Sequence, residues 1–236
     1  MADTQRLGLP LLAPAQAQKH VTVNEALARL DALVQMVLVS VAASVPPGAA
    51  FDGQTWAVPA GATGAWAGQA GKLAVALNGG WEFLTPERGW RAFVADTGRD
   101  AVFDGTGWRA GQSTLTESGA GILMQSDEAD HVISPGTVSQ TGTLIPAHAV
   151  VLGVTARVVE TITGTLSSWS LGNPGAAGRY GAGLGLDAGS FARGTMSQPT
   201  AFYTDEVLQL DAVGGAFAGG TVRLAVHYLS LSLPAA

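Results

Sequence analysis

Three copies of one phrase decide how this chain is read: Phe51-Asp52-Gly53-Gln54-Thr55-Trp56, Leu77-Asn78-Gly79-Gly80-Trp81 and Phe103-Asp104-Gly105-Thr106-Gly107-Trp108. Each is an apolar residue, an Asp or Asn, a Gly and then a Trp, and the starting positions 51, 77 and 103 lie 26 residues apart. Asp-Gly and Asn-Gly supply the positive φ angles that tight hairpins need. The phrase therefore predicts a small all-β module of repeated hairpins over 46–110, with short strands such as Lys72–Leu77 and Arg91–Ala95 between the turns. Asp52, Asn78 and Asp104 are read as turn residues.

Five of the six Trp residues lie in this module: Trp56, Trp66, Trp81, Trp90 and Trp108. Two readings stay open. In a domain this small the indoles can fill the core in place of aliphatic side chains. Alternatively Trp66, Trp81, Trp90 and Trp108 can offer flat faces on which sugar rings stack, and these four are the candidate carbohydrate residues.

Upstream, residues 1–45 read as an arm and a helix. Thr22-Val23-Asn24-Glu25 fits a capping box at a helix start. Behind it Val23, Leu27, Leu30, Val34, Val37 and Val41 recur at alternating spacings of four and three, the pattern of a coiled-coil seam. Either the helix lies on its own domain or it packs against copies of itself or a partner. The β-branched run Met36–Val41 favours a switch to strand, and Pro46-Pro47-Gly48 ends the segment. Residues 1–21 show little periodicity and suit an extended arm. Gln16, Gln18, Lys19 and His20 in it, with Val23, Leu27, Leu30, Val34 and Val37 behind it, form the candidate docking set.

Downstream, a Gly/Ser/Thr-rich stretch over 105–121 reads as a linker, with 111–121 between the two β regions. Residues 122–236 alternate apolar and polar positions. Val154, Ala156 and Val158 fall on one face, with Thr155, Arg157 and Val159 on the other; Val222, Leu224, Val226 and Tyr228 repeat the pattern. With Gly-Gly turns at 214–215 and 219–220 and no helical period, this predicts an antiparallel β-sandwich of jelly-roll type. The whole chain is therefore expected to be mainly β, divided as 1–45, 46–110, 111–121 and 122–236.

Composition narrows the function. The 236 residues carry 32 Gly, only 13% charged residues, a net charge of −6 and no cysteine. Disulfides and thiolate chemistry are excluded, and with no Lys/Arg run a nucleic-acid surface is not expected. Asp3 and two prolines interrupt the apolar run Leu7–Ala17, so no signal peptide is expected, and no apolar stretch is long enough to span a bilayer. Catalytic and phosphate-binding motifs are missing. Gly183, Gly185 and Ala188 make a degenerate dinucleotide fingerprint in the wrong context. Asp127, Glu128, Asp130 and His131 are the densest acidic cluster, read as a solvated turn rather than a metal site. No enzyme activity, metal or cofactor is expected.

Longer motifs carry a resemblance. Leu7-Gly8-Leu9-Pro10, the run Ala15–Thr22, Asn24-Glu25-Ala26-Leu27 and Leu30-Asp31 resemble the opening of a structural family of alphaproteobacterial prophages and gene transfer agents. The runs 61–68, 89–91 and 103–108, then Val151–Arg157, Trp169, Gly172 and Arg179-Tyr180-Gly181, are similar to the rest of that family. The resemblance implies a virion component without catalytic residues: the base of a head spike, attached to the capsid at a five-fold vertex and carrying a fibre. Its implied partners are further copies of itself in a pentamer, the capsid protein, the spike fibre protein and host surface polysaccharide. Its implied place is the particle surface. A carbohydrate-binding adhesin or tail-fibre protein is the alternative reading.

Overall fold

The computed structural model describes residues 3–13 and 19–234, the side chain of Lys19 excepted, and divides them into two compact units that meet at Gln112 and Ser113. The protein is mainly β, with one α-helix among the described residues.

The first unit holds helix α1 (Lys19–Leu33) and seven short strands: β1 (Val37–Leu38), β2 (Thr55–Ala57), β3 (Leu73–Leu77), β4 (Gly80–Leu84), β5 (Arg91–Val94), β6 (Arg99–Phe103) and β7 (Trp108–Ala110). They form one sheet in the order β4-β3-β2-β1-β5-β6-β7. The centre of the sheet is β1, parallel to both β2 and β5, while the outer pairs are antiparallel hairpins. Leader and repeat module are thus one body, because Val37 and Leu38 supply the strand that joins the two halves of the sheet. This corrects the division at residue 45.

Two of the three phrase copies close hairpins. Leu77 pairs with Gly80 across Asn78 and Gly79, whose φ angles of 52° and 73° are those of a type I′ turn. Phe103 pairs with Trp108 across the third copy. There Asp104 Oδ1 accepts from the backbone N–H of Thr106 and Gly107 and from the Thr106 hydroxyl, and Oδ2 accepts from Arg109 Nε. Burial pushes the Asp104 carboxyl up, but these four donors outweigh it and hold its pKa well below the usual carboxylate range. The first copy closes no hairpin. It turns the chain into β2, and its Asp52 Oδ1 accepts from Asn78 N–H, tying copy one to copy two.

Alternation in these strands gives the sheet two apolar faces. On one, Leu38, Ala57, Leu73, Ala92, Val94 and Ala101 are buried with Met36. On the other, Trp56, Val58, Trp66, Ala74 and Ala76 form a second core. Trp66 comes from the short 3-10 turn at Gly64–Trp66.

The second unit is a sandwich of eight strands: β8 (Gly121–Val132), β9 (Val138–Ile145), β10 (Ala149–Gly164), β11 (Ser168–Asn173), β12 (Ala176–Leu184), β13 (Phe191–Phe202), β14 (Glu206–Val213) and β15 (Phe217–Ser232). One sheet runs β13-β10-β15-β8, the other β12-β11-β14-β9, and every ladder is antiparallel. First pairs with last (β8 with β15), second with seventh (β9 with β14), third with sixth (β10 with β13) and fourth with fifth (β11 with β12). That nested pairing, rolled into two sheets, is the jelly roll expected from the alternation. Val151, Val154, Leu171, Leu208, Leu210, Val222, Leu224 and Val226 line the space between the sheets, fully buried. Residues 113–122 are not a free linker: Ser113 N–H donates to Ile122 O and Ile122 N–H to Thr114 Oγ1, folding the segment back as the entrance to β8.

Candidate functional site

Helix α1 is held in place from both sides. Asp31, only 2% exposed, accepts from the Thr4 hydroxyl at 2.7 Å, Arg6 N–H at 3.1 Å and Leu7 N–H at 2.6 Å. The Arg6 guanidinium in turn donates to the carbonyls of Asp31, Ala32 and Gln35. Those groups lie at the end of α1, where carbonyls have no helical partner and the helix dipole favours a cation. Asn24 completes the clamp, its amide giving to and taking from the backbone of Leu12. On the sheet side, a Cβ added at Gly53 (φ 84°) would sit 3.2 Å from Asp31 Oδ2, so the turn approaches the carboxylate as closely as it does because that residue is glycine.

The expected extended arm is therefore corrected over 3–12. Thr4 N–H bonds Leu9 O, Gly8 N–H bonds Thr4 O, and the closed loop lies on its own helix. Asp31 and Arg6 are 25 positions apart, too far for local patterns to connect them. The expected capping box is corrected too. α1 already runs from Lys19, so Thr22 and Glu25 lie inside it and are exposed.

The expected seam is corrected: α1 ends at Leu33, Val34 lies in the turn after it, Val37 is in β1 and Val41 packs on the core, so only Val23, Leu27 and Leu30 share a helix. Val23 (40% exposed), Leu30 (50%), Val34 (45%) and Val37 (37%) face solvent, and Leu27 is half-buried. The face of α1 turned to the rest of the unit carries Asn24, Ala28, Asp31 and Ala32 instead. Val37 stands opposite Phe93 in the sheet, and Phe93 is exposed as well. The helix thus spends Asn24 and Asp31 on internal bonds while Val23 and Leu30 meet water, more than a helix that only covers its own core would leave exposed. His20 is half-buried in the first turn of α1; Gln16 and Gln18 lie outside the described residues.

The Trp candidates do not gather on one open face. Trp66 is fully buried, and its ring meets Trp56 at 5.9 Å and Trp81 at 5.1 Å; Trp56 and Trp81 meet at 5.4 Å. These contacts are tilted or edge-on, the arrangements aromatic quadrupoles favour. Trp90 and Trp108 are half-buried against the core on the opposite face of the sheet. A stacking platform built on Trp66 is corrected: its indole is a core-filling ring.

In the second unit the acidic cluster is split by strand alternation. Asp127 accepts from the Tyr228 hydroxyl, whereas Asp130 takes a two-bond fork from Arg223. That fork lowers the Asp130 carboxyl and raises the Arg223 guanidinium. His131 bonds Ser139 through Nε2, and burial lowers its pKa from 6.5. Among the described residues no three such side chains gather to hold a metal. Gly185, from the degenerate nucleotide fingerprint, gives its carbonyl to the Trp169 indole.

Residues 23–109, most of the first unit, match the family model described as "Protein of unknown function (DUF2793)". No curated protein matches the chain. Among solved structures, a chain of the Cyanophage Pam1 capsid asymmetric unit is similar at 23% identity and a TM-score of 0.35, over 45% of this chain and 84% of that one. A superposition that loose carries no argument about fold or role.

Proposed function

We propose that the protein is a structural subunit of a phage-like particle of the gene-transfer-agent kind. In this reading it forms the base of a head spike, seated at a capsid vertex and carrying a host-binding fibre. Its role there is architectural rather than catalytic. The sequence motifs that resemble such proteins support this reading, as does the jelly roll, an architecture frequent in capsids and lectins and shared by many functions.

The observation that carries the proposal is the apolar stripe Val23, Leu30, Val34 and Val37, exposed along α1, the turn that ends it and the start of β1, on a leader fastened by its own arm. The occupant is a second copy of the same helix, because Val23, Leu27 and Leu30 on α1 keep the spacings of four and three that interlock identical helices. Two heptads are too short to associate as free peptides, but here the fold has already formed the helix. Copies arranged round a vertex would bring their α1 helices side by side about the symmetry axis, one flank of each helix against the other flank of its neighbour.

Light scattering on the purified chain, with Leu30→Glu/Val34→Glu as the variant, tests this. The wild type is expected to be oligomeric and the variant monomeric with an unchanged unfolding temperature, and the variant is expected to be missing from purified particles. A wild type that stays monomeric at all concentrations, or a variant that is still incorporated, overturns the proposal.

A further inference from the structure

The outer face of the β13-β10-β15-β8 sheet carries a cluster that the assembly reading leaves unused. Register sets two rows across it: Asp130, Arg223, Arg157, Phe191, and beside it Glu128, Ala225, Thr155, Arg193. Thr155 and Ala225 are short and make the floor. The long side chains stand round them and enclose an open depression of about 350 Å³.

The cations in this depression are not equivalent. Arg223 is satisfied, with Asp130 at 2.7 Å and Glu128 at 3.7 Å. Arg157 and Arg193 have no carboxylate partner among the described residues; Arg157 makes one long bond of 3.4 Å to Gly189 O. Both guanidiniums stand against the same ring, 6.0 Å and 5.6 Å from the centroid of Phe191, which is 59% exposed. In a chain of net charge −6, two arginines without a carboxylate partner among the described residues thus stand against an exposed aromatic ring.

We infer that this depression binds the carboxylate-bearing sugars of an acidic polysaccharide. The sugar carboxylates meet the guanidiniums of Arg157 and Arg193, whose planar forks match them. The C–H face of the ring lies on Phe191. Glu128, at the far wall, accepts a sugar hydroxyl. A nucleic-acid strand fits less well, because Glu128 and Asp130 on the same face would repel successive phosphates, and strand binding needs a continuous run of cations. The site stands whether or not the chain assembles through α1.

The test is affinity electrophoresis of the full-length protein in gels containing polygalacturonate, alginate or hyaluronan. Fully methyl-esterified polygalacturonate serves as the neutral counterpart and a single-stranded oligonucleotide as the phosphate counterpart. The expected result is retardation by at least one acidic polymer, none by the ester, and a loss of about tenfold in affinity in Arg157→Gln/Arg193→Gln. Phe191→Ala is expected to weaken binding while leaving its salt dependence intact, and Arg29→Gln, in the first unit, to change nothing. The side chains at 157, 191 and 193 are exposed, so the unfolding temperature is expected to hold. No retardation by any acidic polymer, equal retardation by the oligonucleotide, or equal loss in Arg29→Gln overturns the inference.

Discussion

Replacing Asp31 with Ala tests how the leader is held. The carboxylate accepts three bonds, from Thr4 Oγ1 at 2.7 Å, Arg6 N at 3.1 Å and Leu7 N at 2.6 Å, and it is 2% exposed. A hydrogen bond to a charged acceptor contributes about 1.5–3 kcal/mol. The three share one group, so their loss does not add in full. The net cost is about 3 kcal/mol, that of one to two such bonds. At 1.4 kcal/mol per factor of ten, the amides of Arg6 and Leu7 should exchange with deuterium roughly a hundredfold faster. The first unit's unfolding transition should fall by roughly 10–20 °C if the arm and sheet unfold together, with the second unit's transition unmoved. Unchanged exchange at Arg6 and Leu7 would refute the clamp.

Gly79→Val puts a β-branched residue at φ 73° and is expected to cost about 1–3 kcal/mol by thermal unfolding of the first unit; a cost near zero would mean the turn is not type I′. Trp66→Ala, at a fully buried ring, is expected to cost about 3–5 kcal/mol. Trp66→Phe should cost much less, since it also removes an indole N–H that is buried without an acceptor among the described residues. In the second unit, burial lowers the His131 pKa from 6.5, so below that pH the unfolded chain binds a proton that the native state refuses. Stability should therefore be flat above about pH 7 and decline as pH falls from 6.5 towards 5. His131→Gln should flatten that decline in a pH series of unfolding temperatures, and a parallel decline in the variant would sink the assignment.

What could be read from the chain beforehand was what local chemistry dictates. Asn78-Gly79 announces its turn because two successive positive φ angles leave few other residues, and Val154, Ala156 and Val158 announce an inner sheet face by period alone. The β1 strand could be suspected from Met36–Val41 but not its place at the centre of the sheet, since parallel pairing is set by partners 17 and 56 residues away (Leu38 with Thr55 and Val94). The capping box misled because Thr22 and Glu25 satisfy a local pattern inside a helix that starts earlier. Of the candidate sites, the apolar stripe was legible as a period, whereas its break after Leu33 and its outward direction depend on where α1 ends and on Asp31 meeting Arg6. Arg157, Phe191 and Arg193 escaped notice because β10 and β13 bring them together only in register.

The last strand of the jelly roll is an interior strand. β15 lies between β8 and β10, and Gly121 finds its partner only at Ser232. During synthesis the strands that precede it have no complete sheet to join, so the sandwich closes late, after its full length has left the ribosome. The earlier unit is free to fold well before that. The order of maturation follows: the end bearing α1 is finished first, and the open edges of β8 and β10 are exposed until β15 is laid between them, which is the interval in which the nascent chain is most prone to pair with its neighbours.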